Sequence, residues 1–120
     1  MPDHEKRIGN LIREINADFG TRIKFFQQKV NISNMGLEFG RNDRRGRLYI
    51  VPRKSKQGSY YISPQGAELE KAVSGEFENL FHKKCDGYRQ PEERCPHWST
   101  DDWLLVVNAA RIYANFGKNR

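Results

Sequence analysis

Four side chains of the types that ligate zinc lie close together in the C-terminal half of the chain. They follow the spacing H-x2-C-x9-C-x-H and are His82, Cys85, Cys95 and His97. Imidazole and thiolate groups suit a tetrahedral zinc ion, which would also organise the intervening loop. The spacing is not that of a standard zinc finger, so a Cys85–Cys95 disulfide and unrelated packing or surface roles stay open as alternatives.

A second candidate site is defined by charge. The chain of 120 residues carries a formal net charge of +6. The whole excess lies in residues 41–56, named here the basic segment, which contain one acid and seven bases: Arg41, Arg44, Arg45, Arg47, Arg53, Lys54 and Lys56. A balanced chain with one basic segment is typical of a protein that binds a polyanion.

The residue types in and around the basic segment favour nucleic acid as that polyanion. Arginine forks onto phosphate oxygens and stacks on bases, and Tyr49 and Tyr61 could offer stacking faces to unpaired bases. We therefore predict a non-enzymatic DNA- or RNA-binding protein of low sequence specificity, with the seven bases, Tyr49 and Tyr61 as its interface. Two alternatives stay open. The basic segment could blunt a sheet edge, or it could dock on an acidic protein partner, as in a small inhibitor or adaptor of regulation or phage–host conflict.

Catalytic motifs are absent from the sequence. No nucleophile lies in a motif that implies a base, and neither a P-loop nor G-x-G-x-x-G occurs. A small metal-dependent nuclease, whose carboxylates would converge only in space, is the remaining enzymatic alternative.

Length and composition predict one domain over residues 1–120. No apolar run approaches the ~18 residues of a membrane span, and the charged N-terminus has no apolar run of a signal peptide. We expect a cytoplasmic protein that has no membrane partner.

The elements that must position these residues follow from periodicity. Ile8, Leu11, Ile12, Ile15 and Phe19 form one helical stripe, with Asp3 as N-cap and Gly20 at the C-terminal end. Alternating and β-branched residues between 21 and 62 predict an antiparallel meander of three or four strands, with Pro52 at a strand end or edge.

Two further helices follow the predicted meander. The first begins after Ser63-Pro64 and carries a stripe at Leu69, Val73, Phe77, Leu80 and Phe81. Residues 84–98 look like a loop. The last helix is expected from about Thr100 to Asn115, with a capping box over Ser99 to Asp102. The sequence therefore predicts an α+β fold with an N-terminal helix, a small antiparallel meander and two C-terminal helices packed on one face.

One stretch carries a family resemblance. Residues 48–69, which pass through Tyr-Tyr-Ile-Ser-Pro-Gln-Gly into a helix, resemble the wing and following helix of winged-helix regulators. The resemblance implies a winged-helix DNA-binding regulator as a second alternative. It would require a recognition helix near residues 33–42, where Gly36 and Gly40 disfavour a helix.

Adjacent aromatics suggest further surfaces. Phe25 and Phe26 must point to opposite faces of a strand, so one of them could support a homodimer. Trp103 is expected in the core, whereas Trp98 is either a staple on the last helix or an exposed anchor.

Overall fold

The computed structural model describes residues 4–28, 34–40, 45–54, 56–88 and 96–118. Helix α1 opens the fold, strands β1 to β4 follow, and α2, β5, β6 and α3 complete it. Their bounds are α1 His4–Phe19, β1 Lys24–Gln27, β2 Met35–Glu38, β3 Arg47–Pro52, β4 Tyr60–Gln65, α2 Ala67–Phe81, β5 Gly87–Tyr88, β6 Pro96–Thr100 and α3 Trp103–Lys118. The predicted α+β fold is confirmed.

The sheet is antiparallel throughout and has the order β1-β2-β3-β4-β6-β5. The meander β1 to β4 matches the predicted antiparallel arrangement, but the prediction of three or four strands is too low. Strand β6 pairs with β4, with Ile62 opposite Trp98, and the two-residue β5 extends the sheet beyond β6. The predicted loop over residues 84–98 is wrong for β5 and for the start of β6, while residues 89–95 lie outside the described residues.

One face of the sheet packs against all three helices. It contributes Leu37, Leu48, Ile50 and Ile62, which are fully buried with the apolar stripes of α1 and α2 and the buried side of α3. At the end of α1, Gly20 adopts a left-handed conformation and donates to the Asn16 carbonyl, as its position predicted. The predicted N-cap, Asp3, lies outside the described residues.

Helix α2 begins later than predicted because Ser63 and Pro64 belong to β4. They lie opposite Tyr49 and Leu48 of β3, and α2 begins at Ala67 after Gly66, a residue with φ of 127°. The cap-and-proline pattern wrongly predicted a helix start, because Ser63 and Pro64 are paired with β3 in the sheet.

Helix α3 is shifted toward the C-terminus relative to its predicted bounds. The Leu104 backbone N–H donates to Oδ1 of Asp102 at 3.0 Å, so Asp102 is the N-cap itself rather than the N3 residue of a capping box that begins at Ser99. The helix continues past Asn115 to Lys118.

The two tryptophans and the Phe25–Phe26 pair have distinct environments. Trp98 is fully buried against Phe77 and Phe81, whereas Trp103 is only half-buried under Arg7. The anchor interpretation of Trp98 is therefore wrong. Phe26 lies on the sheet face away from the helices and packs against Tyr49 of the same chain. This agrees with the expectation that one of the two adjacent phenylalanines faces away from the core.

The winged-helix alternative is not the observed fold. Met35–Glu38, at the centre of the required recognition helix, is strand β2 and pairs with β1 and β3. Gly36 lies directly against the β3 backbone, where a side chain would not fit.

Candidate anion-binding pocket

Strand β3 divides the basic segment between two ends of the sheet. Arg45 precedes the strand, and Arg53 follows it. A six-residue strand spans roughly 20 Å at ~3.3 Å per residue, so Arg45 and Arg53 lie at opposite ends of the sheet. Arg41 and Arg44 lie outside the described residues.

The middle of the basic segment is used for packing. Nε of Arg47 donates to Oε2 of Glu38 at 2.9 Å, and its guanidinium lies 4.7 Å from the centre of the Phe26 ring. Tyr49 is only 5% exposed and accepts a hydrogen bond from Nε2 of Gln28 at 2.9 Å. These two predicted interface residues hold the sheet face that lies away from the helices.

The other predicted stacking residue, Tyr61, already has a partner. Its ring stacks on His97 of β6 with 4.4 Å between the ring centres, and its hydroxyl oxygen is buried. Burial is the largest influence on the His97 pKa and lowers it; Arg53 and Lys83 lower it further, while Asp86 opposes them. The imidazole therefore favours its neutral form.

At the far end of β3, the second half of the basic segment faces acids. Arg53, Lys54 and Lys56 are exposed on the turn before β4. Nζ of Lys56 lies 3.5 Å from Oδ2 of Asp101, beside Asp102 in the chain. These carboxylates reduce the positive potential that the turn offers to an anion.

The described members of the predicted zinc set lie on separate elements. His82 is exposed in a left-handed conformation at the end of α2, and Cys85 is a free thiol beside a cavity of about 150 Å³ lined partly by Trp98. Cys95 lies outside the described residues, and no group of three metal-type ligands occurs among the described ones. Zinc binding stays a prediction, which elemental analysis of untagged protein tests.

A concave basic site lies at the N-terminal end of β3, called here the near end, where α1 and α3 also end. The cavity has a volume of about 390 Å³ and is named here the basic pocket. Its lining comprises Gly20, Thr21, Arg22, Phe39, Arg45, Gly117 and Lys118. Three cations from separate parts of the chain therefore line one pocket that has no carboxylate in its described lining.

Among the contacts of Arg45 within the described residues, two hold its side chain on the pocket wall. Its Nη1 donates to the Gly117 carbonyl at 3.0 Å, and its guanidinium lies 4.3 Å from the centre of the Phe39 ring. Phe39 also packs against Tyr113, with 4.9 Å between ring centres. Phe39 is thus packed between a cation and a core aromatic, which fixes the wall of the pocket.

Gly117 makes this packing possible. A Cβ atom built on this residue would overlap the Phe39 ring. The last turn of α3 can approach Phe39 only because a glycine is present there.

Asn16 positions the opposite wall. Its Oδ1 accepts hydrogen bonds from the Thr21 hydroxyl at 2.8 Å and from the Ile23 N–H at 2.9 Å. Its Nδ2 donates to the Ile23 carbonyl at 2.9 Å. These three bonds fix the loop that presents Arg22.

Two opposing effects set the electrostatics of the basic pocket. The carbonyl ends of α1 and α3 each contribute roughly half a negative charge. The guanidinium of Arg45 partly neutralises the end of α3 by donating to the Gly117 carbonyl. Arg22 and Lys118 are exposed and form no ion pair with another residue of the described segments. Among the described residues, the lining side chains supply three positive charges against these two partial negative ones.

Two carboxylates on elements that border the pocket, Asp18 of α1 and Glu38 of β2, are paired with arginines. Asp18 is bound by Nη1 of Arg111 at 3.0 Å, and Glu38 is bound by Arg47. Lys24 lies opposite Glu38 across the β1–β2 ladder. Within the described segments, both of these carboxylates therefore have a basic partner.

Sequence reasoning missed Arg22 and Lys118 as site residues. They lie 23 and 73 positions from Arg45, among scattered bases rather than in a dense basic run, so no local pattern marks them. Only the sheet order and the common end of α1 and α3 bring them together.

Comparisons with protein-family models, with curated proteins and with solved structures found no match. The fold and the basic pocket define a small α+β protein with a concave cationic site. Among the described helices, none is both long and apolar enough to cross a bilayer.

Proposed function

We propose that this protein is a non-enzymatic nucleic-acid-binding protein of low sequence specificity and that the basic pocket is the centre of its interface. The convergence of Arg22, Arg45 and Lys118 on one pocket without a lining carboxylate carries the proposal. Arginine and lysine are the side chains that bind phosphate oxygens most strongly. A cytoplasmic location remains the expectation from the sequence.

The basic segment contributes to this interface in a different way from the sequence-based expectation. Its first half supplies Arg45 to the pocket, while Arg41 and Arg44 stay predicted interface residues that lie outside the described part of the chain. Its second half lies about one strand length away and faces Asp101. We therefore assign the main phosphate contacts to the near end of β3.

The experiment compares two double variants that change the net charge equally. Arg22→Gln with Lys118→Gln removes two exposed pocket cations, while Lys71→Gln with Lys84→Gln removes two exposed cations elsewhere. Fluorescence anisotropy with a labelled single-stranded 20-mer of DNA or RNA gives the dissociation constants at fixed salt. We expect roughly tenfold weaker binding for the pocket variant, since two charge-assisted contacts are lost, and less than a twofold change for the matched control.

Equal weakening of the two variants would overturn the assignment to the pocket. No binding of any oligonucleotide by the wild-type protein at low salt would overturn the function. In that case, docking of the basic surface on an acidic protein becomes the better account.

A further inference from the structure

We propose, building on the nucleic-acid function above, that the basic pocket takes the phosphorylated end of a strand in preference to internal phosphates. The shape of the site is the first argument. Its volume of about 390 Å³ falls within the ~300–1,000 Å³ of small-ligand pockets and is larger than a lone phosphate needs. A strand end can insert one nucleotide into such a concavity, whereas an internal phosphodiester must keep a nucleotide on each side of the pocket mouth.

Charge is the second argument. A terminal phosphomonoester carries roughly −1.5 to −2 charges near neutral pH, whereas an internal phosphodiester carries a single charge. The end group also offers three terminal oxygens to the donors of Arg22, Arg45 and Lys118. A cluster of three cations in a concave site is better matched by the end group.

Preorganisation is the third argument. Asn16 fixes the loop that carries Arg22, and Phe39 with the Gly117 carbonyl fixes Arg45. Because the walls are built before a ligand arrives, less ordering is required on binding. The pocket therefore discriminates between phosphate groups rather than providing a diffuse attraction.

The test uses one internally labelled single-stranded 10-mer with a 5′-phosphate, a 3′-phosphate or hydroxyls at both ends. We expect at least one phosphorylated form to bind at least fivefold more tightly than the hydroxyl form at about 150 mM salt. Arg22→Gln with Lys118→Gln should abolish the preference, and Lys71→Gln with Lys84→Gln should retain it. A matching nucleoside monophosphate is added as competitor to distinguish a strand end from a free nucleotide.

Equal affinity for all three forms would overturn the strand-end proposal and leave the nucleic-acid function intact. Absence of binding to every form would overturn both. A preference that persists in the Arg22/Lys118 variant would contradict the assignment to the pocket. Competition by the free nucleotide at the same concentration as by the 10-mer would show that the strand contributes nothing, which also overturns the proposal.

Discussion

The basic pocket depends on individual residues that either permit a close approach of two elements or fix the position of a neighbouring side chain. Gly117 gives the end of α3 its close approach to Phe39, and Phe39 then supports Arg45. Arg45 itself is both a wall of the pocket and a donor to the Gly117 carbonyl. A sequence pattern cannot reveal such roles, because a glycine near a helix end ordinarily predicts the end of the helix rather than a packing contact.

Two helical glycines should respond oppositely to the same substitution. Gly117→Ala should lower the free energy of unfolding by about 1 kcal/mol, because overpacking costs ~1–3 kcal/mol and exceeds the helix-propensity gain. Gly75→Ala should raise it by about 1 kcal/mol, since Gly75 is exposed and a Cβ atom there would have no neighbour within 4 Å. Urea denaturation measures both, and a stabilised Gly117→Ala protein would contradict the packing of α3 against Phe39.

Replacing Asn16 should lower the free energy of unfolding more than the partly buried position of its side chain suggests. Asn16→Ala removes three hydrogen bonds to the loop that carries Arg22, so we expect a loss of roughly 1–3 kcal/mol in unfolding free energy. The exposed Asn10 provides the matched control on the same helix, since its side chain accepts a surface hydrogen bond from Arg13. Asn10→Ala should cost less than about 0.5 kcal/mol, and equal losses in thermal unfolding would contradict the role of Asn16.

At the scale of elements, sequence patterns predicted what depends on local periodicity. The α1 stripe, the end of α1 at Gly20 and the stripe of α2 follow from spacing alone. The start of α2 and strand β6 were missed because they depend on partners distant in sequence. Ser63-Pro64 has the local signal of a helix start but is used by the β3–β4 ladder, and Trp98 belongs to a short strand whose neighbour is β4.

The cap of α3 gives a test at this scale. Asp102→Ala should lower the free energy of unfolding by about 1 kcal/mol, because its carboxylate accepts from the Leu104 N–H. Asp101→Ala is the matched control and should cost less than about 0.5 kcal/mol, since Asp101 is exposed and its 3.5 Å pair with Lys56 is a weak surface ion pair. Equal losses from the two variants in urea denaturation would show that Asp102 does not cap the helix.

At the scale of the whole molecule, folding redistributes charge that looks concentrated in the sequence. The basic segment is split by β3, Arg47 is matched by Glu38, and the far-end turn faces Asp101. The basic pocket instead draws one cation from the basic segment and two from outside it. The sequence could predict a positive site near Arg45, but its composition depends on where α1 and α3 end.

The salt dependence of binding tests the central claim most directly. For a single strand, the slope of log Kobs against log salt is roughly −0.7 per phosphate neutralised. We predict that Arg22→Gln with Lys118→Gln reduces the magnitude of the slope by about 1.4 relative to the wild-type protein, because two phosphate contacts are lost. An unchanged slope in this variant would contradict the account, since it would place the phosphate contacts outside the basic pocket.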